Sequence, residues 1–316
     1  MSEFGFQSTA EDVAEGIDLS GRRAVITGAS SGLGVETARV LASRGAAVLM
    51  VARDAAKLEA AVAEVRESVP AATLDTALLD LADLDSVRAG AADILQKAPV
   101  INLLVNNAGV MACPLSRTAQ GFEMQFGTNH LGHFLLTGLL APALLAGAPA
   151  RVVNLSSAGH RFAPVDMDDP NYQQREYDKW QSYGQSKTAN ALFSVGLDQR
   201  LREHGVRAFA VHPGMIMTEL GRHMEASDFE LIARGRKPEE LPFKSVAQGS
   251  ATSVWAATSP DLDGKGGLYL EDCHVAEPAT AEAEGGVEAY ALDPGEADKL
   301  WQLSEALVGQ RFNFKE

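Results

Sequence analysis

The chain alternates short apolar runs with longer segments in which apolar residues recur at helical spacing. Near-continuous apolar runs are typical of strands that are buried on both faces of a parallel sheet. Segments of helical period separate these runs, for example 34–44, 55–68 and 84–97. This rhythm predicts an α/β fold built on a doubly wound parallel sheet of about seven strands. The predicted strands are 23–27, 47–51, 74–79, 101–106, 151–155, 207–212 and 268–270.

No linker-like segment and no internal repeat divides the sequence, which predicts a single domain at 21–316 after an N-terminal extension at 1–20. Two segments, 160–182 and 215–245, interrupt the rhythm and are rich in Asp, Pro, Met, Glu and Arg. Ligands of a doubly wound sheet bind at the carboxyl ends of its strands. We therefore interpret both segments as substrate loops, with an ordinary surface excursion as the alternative for either one.

Composition narrows the classes of partner. The formal net charge of −15 disfavours general attraction to nucleic acid or anionic lipid. The two cysteines, Cys113 and Cys273, belong to no CxxC or Cys/His cluster, so we predict neither a disulfide framework nor a metal site.

The location of the protein follows from two further features. The N-terminus is acidic and polar and lacks the pattern of a secretory signal. The apolar stretch 134–148 is short for a membrane span and contains Pro142, so we interpret it as a buried or interface helix. We expect a cytoplasmic protein with no membrane or nucleic-acid partner.

The first predicted strand runs directly into a glycine-rich turn, TGASSGLG at 27–34, and a helical segment follows. Glycines let the backbone approach a pyrophosphate, and a helix N-terminus offers free N–H groups and a favourable dipole. The spacing is GxxxGxG rather than GxGxxG. A glycine turn alone is a weak signal, but on the first strand of a βαβ pattern it predicts a dinucleotide site.

The end of the second predicted strand indicates the type of dinucleotide. An acidic residue there accepts hydrogen bonds from a ribose 2′-hydroxyl, whereas a basic residue favours a 2′-phosphate. Arg53 comes first after the strand, and its guanidinium can pair with a phosphate in bidentate fashion. We therefore predict NADP(H) as cofactor, with NAD(H) as the alternative if Asp54 contacts the ribose instead.

Tyr183 and Lys187 are four residues apart at the start of a helical segment, so they share one helix face. A phenol has a pKa near about 10. A neighbouring ammonium lowers that pKa and makes the hydroxyl usable as a general acid or base. Ser157 follows the fifth predicted strand and would hydrogen-bond a substrate carbonyl. Each residue taken alone is equally consistent with a surface or capping role.

Six motifs occur in order along the chain and together carry a family resemblance. They are TGASSGLG at 27–34, NNAG at 106–109, NHLGHF at 129–134, NLSS at 154–157, YGQSK at 183–187 and HPG at 212–214. In this combination the chain resembles the short-chain dehydrogenase/reductase family, which implies a Rossmann fold. The resemblance covers about residue 17 to the C-terminus. Within the family the chain is most similar to the retinol dehydrogenase and WW-domain oxidoreductase-like branch. The segments that carry this narrower resemblance are GVMACP at 109–114, YGQSKTAN at 183–190, GLYLEDC at 267–273 and Leu300-Trp301.

The resemblance implies a role for each matching residue. Tyr183 is similar to the family's catalytic acid/base, and Lys187 to the lysine that lowers the tyrosine pKa and binds the nicotinamide ribose. Ser157, rather than Ser156, resembles the serine that orients the carbonyl, and Asn129 the residue that anchors a water beside the lysine. The remaining matches are to cofactor contacts, which Tyr183 and Lys187 share. They are Gly28, Ser30, Ser31, Gly32, Leu33, Gly34, Arg53, Asp80, Leu81, Asn107, Ala108, Gly109, Pro213, Gly214, Ile216 and Thr218.

The activity implied is reversible oxidoreduction between an alcohol and a ketone or aldehyde by hydride transfer. A non-catalytic dinucleotide-sensing protein is the alternative from another class, and the complete Tyr/Lys/Ser/Asn set disfavours it. An apolar or aromatic small-molecule substrate is predicted from side chains that would line a pocket. These are Phe162, Met167, Trp180, Met215, Met217 and Met224. The segment 131–145 and the helix after Tyr183 resemble the family's dimer-forming pair, which predicts a homodimer or homotetramer.

Overall fold

The protein is described by a computed structural model that covers residues 3–233, 235–237, 240–281, 283 and 285–314. Within these residues the chain forms ten strands. They are β1 (Arg23–Thr27), β2 (Ala47–Ala52), β3 (Leu74–Leu78), β4 (Leu103–Asn106), β5 (Ala150–Leu155), β6 (Val206–His212), β7 (Met215–Ile216), β8 (Phe243–Lys244), β9 (Leu268–Glu271) and β10 (His274–Val275). Eight of them form the central sheet, and β7 pairs with β8 separately.

The central sheet has the order β10-β9-β6-β5-β4-β1-β2-β3, and its neighbours run parallel except for β9 and β10. The predicted doubly wound sheet is confirmed, and the seven predicted strands correspond to β1 to β6 and β9. The eighth strand, β10, was not predicted because two exposed residues leave no periodic signal. Strand order reverses between β1 and β4, whose carboxyl ends therefore border the crevice in which this fold binds ligands.

Helices cover both faces of the sheet. They are α1 (Ala10–Val13), α2 (Gly32–Ser43), α3 (Ala55–Ser68), α4 (Leu84–Lys97), α5 (Met124–Phe126), α6 (Gly132–Ala146), α7 (Lys179–Leu201), α8 (Ala226–Ala233), α9 (Val246–Thr258) and α10 (Pro294–Val308). Side chains alternate along β1, so Ala24 and Ile26 join the core that contains residues of α1, α2, α3 and α9. Val25 joins the opposite core, which contains residues of α4, α6, α7 and α10.

Four of these helices begin after an aspartate that acts as the N-cap. The side chains of Asp54, Asp83, Asp178 and Asp293 each accept a hydrogen bond from an amide of the following first turn. Such N-caps satisfy backbone donors that have no partner inside the helix. The cap at Asp178 places the start of α7, and with it the residues that follow in the candidate site.

The most apolar helical segment is longer than the sequence indicated. A π-helix, Gly127–Leu131, joins α5 to α6, and the most apolar 18-residue window of the continuous helix Met124–Ala146 has a mean hydropathy of 1.2. By length and composition alone this helix would suffice to span a membrane, so the prediction that it is too short was wrong. The error arose because Asn129 and His130 interrupt the apolar run. In the fold, 78% of its most apolar window is buried, in agreement with a buried helix.

The C-terminal part of the chain covers the outer side of α6 and α7. Trp301 of α10 contacts Phe134 edge-on at 4.9 Å and Phe193 at 6.0 Å between ring centroids. Phe312 packs so closely on Gly138 that a Cβ there would lie 2.3 Å from its ring. These are the helices expected to form a dimer interface. The homodimer or homotetramer stays a prediction, and its interface would have to use another surface.

The predicted N-terminal extension and substrate loops also have defined places. Ala10 and Val13 of α1 are buried in the core beside α9, and the Phe6 ring lies 4.7 Å from the Lys244 ammonium. The loop 160–182 leads into α7, and the loop 215–245 contains β7, α8 and β8. Residues 234, 238 and 239 of the second loop lie outside the described residues, as do 1, 2, 282, 284, 315 and 316 elsewhere.

Candidate active site

The turns after β1 and β4 approach each other closely at the crevice. A Cβ added at Gly28 would lie 2.8 Å from the Cα of Ala108, and one added at Gly34 would lie 2.3 Å from the Gly28 carbonyl oxygen. Gly28 also has a φ of 66°, in the left-handed region that side chains disfavour. Only glycine fits at both positions, which explains the spacing of the turn.

The start of α2 offers unpaired donors at this crevice. The helix begins at Gly32, and its N-cap residue Ser31 makes no side-chain capping hydrogen bond. The N–H groups of the first turn are therefore left to an external acceptor, and the helix dipole favours an anionic one. This arrangement is suited to a phosphate group.

The Thr27 hydroxyl organises the floor of the crevice. It accepts hydrogen bonds from the amides of Asn107 (3.0 Å) and Ala108 (3.1 Å), and it lies 2.9 Å from Nε2 of His133. Because the oxygen already accepts two hydrogen bonds, we assign it as the donor to His133. The proton of His133 is then on Nδ1, which donates to the Asn129 carbonyl at 2.9 Å. Burial lowers the pKa of His133 to about 4, so the ring is neutral at pH 7.

Tyr183 and Lys187 are both buried on the inner face of α7, each 3% exposed. The Lys187 Nζ lies 5.6 Å from the centroid of the Tyr183 ring and donates to the Leu155 carbonyl at 3.0 Å. Burial raises the pKa of Tyr183 to about 12, and the neighbouring Ser157 hydroxyl opposes this rise. Burial also lowers the pKa of Lys187 to about 8.

The expected lowering of the Tyr183 pKa by Lys187 is not found in this structure, where burial raises that pKa. The sequence argument counted the positive charge and left out the lost hydration of a phenolate inside the fold. At neutral pH Tyr183 is a neutral phenol, which is the form that donates a proton.

Ser157 is the member of the serine pair that faces Tyr183. Its Oγ accepts a hydrogen bond from the Gly159 amide at 3.0 Å, and it lies close enough to the tyrosine hydroxyl to lower the pKa of Tyr183. Gly159 in turn lies against the tyrosine, since a Cβ there would be 2.7 Å from the ring. Ser156 is buried and donates to the Lys187 carbonyl at 2.8 Å, which holds α7 against β5.

Asn129 lies in the π-helix and fastens the segment after β4. Its Oδ1 accepts from the Val110 amide at 2.8 Å, and its Nδ2 donates to the Val110 carbonyl and to Ser186 Oγ, both at 2.9 Å. π-Helical turns are rare and frequent at functional sites. The side chain thus joins three elements of the site, and its contact with a water beside Lys187 stays a prediction.

One end of the crevice opens beside the exposed Arg53. A cavity of about 500 Å³ is lined there by Arg53, Asp54, Leu78, Leu79, Asp80 and Ser86. The Asp54 side chain accepts from the Lys57 amide at 3.0 Å, so its carboxylate caps α3. Leu81 is buried against Gly132, where a Cβ would lie 2.6 Å from the Leu81 carbonyl oxygen.

The segment after β6 closes the other end. Gly214 has a φ of 99°, which turns the chain after Pro213 back towards α2. Ile216 and Leu33 meet at Gly249 of α9, where a Cβ would lie 2.6 Å and 2.9 Å from their side chains. Thr218 lies beside Gly32, at 3.5 Å by the same measure. These contacts bring Leu33, Ile216 and Thr218 together at the start of α2, with Ser30 and Ser31 in the turn itself.

An apolar cluster adjoins the tyrosine. It consists of Ala112, Trp180 and Tyr183 with Met111, Met224 and Ile232 packed against them. Phe162 contacts Trp180 at 5.7 Å between ring centroids, so three of the predicted pocket residues lie here. Met167 does not, because it packs against the core beneath α6 and α7. Met217 is 64% exposed and Met215 pairs with Phe243 in the small sheet.

Buried amides connect the sheet beneath the site to α7. Asn106 donates to Asn154 at 2.7 Å, and Asn154 donates to Ser194 of α7 at 2.9 Å. Asn190 donates to the Leu155 carbonyl at 2.9 Å, the same oxygen that accepts from Lys187. These hydrogen bonds fix the position of α7 along its axis relative to β5.

Sequence reasoning missed two residues of this arrangement, Thr27 and His133. Both stand inside motifs that were noted, TGASSGLG and NHLGHF, but only the glycines and Asn129 were interpreted. A histidine four residues after Asn129, on the same helix face, was the available signal.

Comparison with known proteins gives consistent matches over most of the chain. A family model described as short chain dehydrogenase matches residues 22–228. Mouse retinol dehydrogenase 12 is 42% identical over 293 residues, covering 93% of this chain and 88% of that protein. The chloroplastic short-chain dehydrogenase TIC 32 B of Brassica napus is 39% identical over 320 residues, covering 97% and 95%.

A solved structure agrees with the fold. The crystal structure of an uncharacterized protein from Mycobacterium paratuberculosis is 36% identical and superposes with a TM-score of 0.75. The similarity covers 96% of this chain and 98% of that one. The likeness therefore includes the N-terminal and C-terminal segments around the crevice as well as the central sheet.

Proposed function

The chain belongs to the short-chain dehydrogenase/reductase family, in the branch of the retinol dehydrogenases, and on that premise we propose that it is an NADP(H)-dependent oxidoreductase that interconverts an alcohol with a ketone or aldehyde. The observation that carries this proposal is the buried hydroxyl of Tyr183 beside the half-buried Ser157, with the Lys187 ammonium next to the tyrosine ring. A non-catalytic sensor has no need of a neutral phenol held in this way.

Ser157, Tyr183 and Lys187 have different roles at the carbonyl oxygen of the substrate. The Ser157 and Tyr183 hydroxyls hydrogen-bond this oxygen, and Tyr183 transfers its proton to it as negative charge develops. Lys187, held by the Leu155 carbonyl, stabilises the phenolate that remains. In alcohol oxidation the same phenolate accepts the proton back.

The chain's own residues fit a dinucleotide. The close approach of Gly28 to Ala108 leaves no side chain between the turns, and the first turn of α2 has no capping side chain. The residues from Gly28 to Gly34 would hold the pyrophosphate, and Pro213 to Thr218 would hold the nicotinamide end. When bound, this cofactor supplies or accepts the hydride.

The NADP(H) preference is supported by two neighbouring side chains. Arg53 is exposed at the edge of the cavity and free to turn towards a 2′-phosphate. The Asp54 carboxylate, which would favour NAD(H), instead caps α3 through the Lys57 amide.

Arg53→Ala should raise the KM for NADPH by about 10- to 100-fold, since a charge-assisted hydrogen bond contributes roughly 1.5–3 kcal/mol. The KM for NADH should stay within about twofold. The measurement is initial rates with both cofactors on one carbonyl substrate.

The matched control is Asp54→Asn, which keeps an N-cap of similar quality and removes the neighbouring charge. This variant should use NADPH at least as well as the wild type. Equal losses for both cofactors in Arg53→Ala, together with a loss of NADH use in Asp54→Asn, would assign the site to NAD(H).

The substrate that suits the site is a bulky apolar or aromatic carbonyl. Met111, Trp180, Met224 and Ile232 surround the tyrosine with apolar surface. We expect consumption of NADPH in a panel of aromatic aldehydes, ketones and quinones to exceed that with short aliphatic aldehydes. Tight NADPH binding without turnover of any member of the panel would favour the sensing alternative.

A further inference from the structure

Helix α8 buries a charged side chain and exposes apolar ones, the reverse of the usual arrangement on a surface helix. Its buried residue is a carboxylate, Asp228, which is 3% exposed. Two of its apolar residues face solvent instead, Phe229 at 38% and Leu231 at 52% exposed. Apolar burial therefore contributes little to holding α8 in place. The polar contacts of Asp228 must supply most of the stabilisation of this helix against the fold.

The Asp228 carboxylate receives three hydrogen bonds. Its Oδ1 accepts from the indole Nε1 of Trp180 at 2.9 Å. Its Oδ2 accepts from the Lys179 ammonium at 2.7 Å and from the Glu225 amide at 2.8 Å. Burial alone would raise the pKa of Asp228, but these hydrogen bonds outweigh it and lower that pKa, so the carboxylate stays ionised at neutral pH.

Two of these donors belong to the first turn of α7, the helix that carries the catalytic tyrosine. The Trp180 ring meets the Tyr183 ring edge-on at 6.3 Å and the Phe162 ring at 5.7 Å. On the other side, Ile232 of α8 packs against the same apolar cluster. The position of α8 and the orientation of the indole are thus set by one carboxylate.

We propose that Asp228 is a positioning residue of the substrate site, which holds α8 against the start of α7 and fixes the Trp180 indole as a wall beside Tyr183. Its contribution is to the binding of substrates bulky enough to reach that wall. The proton transfer at Tyr183 does not involve it. The predicted effect on substrate binding rests on the oxidoreductase function proposed above. The predicted role in holding α8 in place does not depend on that function.

The kinetic test compares Asp228→Ala and Asp228→Asn with a matched control, Glu230→Gln, which removes an exposed carboxylate from the same helix. Asp228→Ala should raise the KM for a bicyclic aromatic ketone by about tenfold, with kcat within about threefold. The KM for propanal and the Kd for NADPH should not change. The KM of Asp228→Asn for the aromatic ketone should lie between those of the wild type and Asp228→Ala, because an amide oxygen can still accept a hydrogen bond from Trp180. An equal loss for both substrates, or no change in KM, would overturn the proposal.

A second arm tests whether Asp228 acts through the indole. Trp180→Phe keeps an aromatic ring and removes the Nε1 donor. In this background Asp228→Ala should raise the KM for the aromatic ketone clearly less than in the wild type. Fully additive effects would contradict the coupling.

The structural test needs no substrate. Arg222 and Arg236 flank α8, and trypsin should cleave the apo protein there several-fold faster in Asp228→Ala and Asp228→Asn than in the wild type and Glu230→Gln. Unchanged cleavage would refute the role in holding α8. If no carbonyl is turned over by any variant while cleavage follows this order, the proposed function fails and the positioning by Asp228 stands.

Discussion

Tyr183→Phe should lower kcat for carbonyl reduction by about a thousandfold, within the range of about 10²–10⁴ that general acid catalysis contributes. The variant retains the aromatic ring packed against Gly159 and Trp180 and loses only the hydroxyl beside Ser157. Binding of NADPH should therefore be unaffected. Stopped-flow turnover together with a fluorescence titration of NADPH separates the two quantities.

A second tyrosine provides the control. Tyr172 is buried in the loop before α7, and its hydroxyl makes no hydrogen bond within the described part of the chain. Tyr172→Phe removes the same atom from a similar environment and should leave kcat unchanged. A Tyr183→Phe enzyme that retains more than about a tenth of wild-type kcat would remove Tyr183 as the proton donor.

Lys187→Met should have opposite effects on activity and stability. Turnover should fall by at least about a hundredfold, since no positive charge remains to stabilise a Tyr183 phenolate. The folded protein should nevertheless become more stable at pH 7. Burial lowers the pKa of Lys187 from 10.5 to about 8, which corresponds to roughly 3 kcal/mol against folding. The lost hydrogen bond to Leu155 offsets about 1 kcal/mol of the gain.

The pH dependence distinguishes this cause from a general packing effect. Below pH 8 the lysine is protonated in both folded and unfolded states, and the full penalty is present. Between pH 8 and 10.5 the folded state loses its proton first, so wild-type stability rises towards that of the variant. Urea unfolding should therefore show a smaller difference in the free energy of unfolding between variant and wild type at pH 10 than at pH 7. A difference that does not change with pH would mean that burial of the lysine carries no penalty. A Lys187→Met protein less stable than the wild type at pH 7 would mean the same.

The sheet was predictable because most of its strands are buried on both faces, which makes their sequences near-continuous apolar runs. The edge strand β3 is the exception, since Asp75 and Leu78 are exposed. The π-helix at Gly127–Leu131 was not predictable, because a change of hydrogen-bond spacing within a helix leaves no mark on apolar periodicity. The polar residues Asn129 and His130 likewise hid the continuation of the apolar helix back to Met124.

The sequence was sufficient to single out the candidate site residues. It was not sufficient to predict their pKa values. Motif order singled out Tyr183, Lys187, Ser157 and the glycine turn, which the structure places at the carboxyl ends of β5 and β1. The pKa of Tyr183 depends on burial, which spacing along a helix does not reveal. Asp228 was out of reach for a related reason: nothing local marks an aspartate in a polar loop as buried until the tryptophan that pairs with it is placed.

The amide connections from Asn106 through Asn154 to Ser194 have a consequence for attempts to make the enzyme more robust. Replacing a buried polar group and its partners by apolar groups of similar shape is often neutral or favourable for thermal stability. Here such replacements would free α7 to settle at another height against β5, carrying Tyr183 with it. A screen that selects for heat resistance alone will therefore enrich substitutions at the positions on which catalytic alignment depends, and only a screen that also scores turnover will reject them.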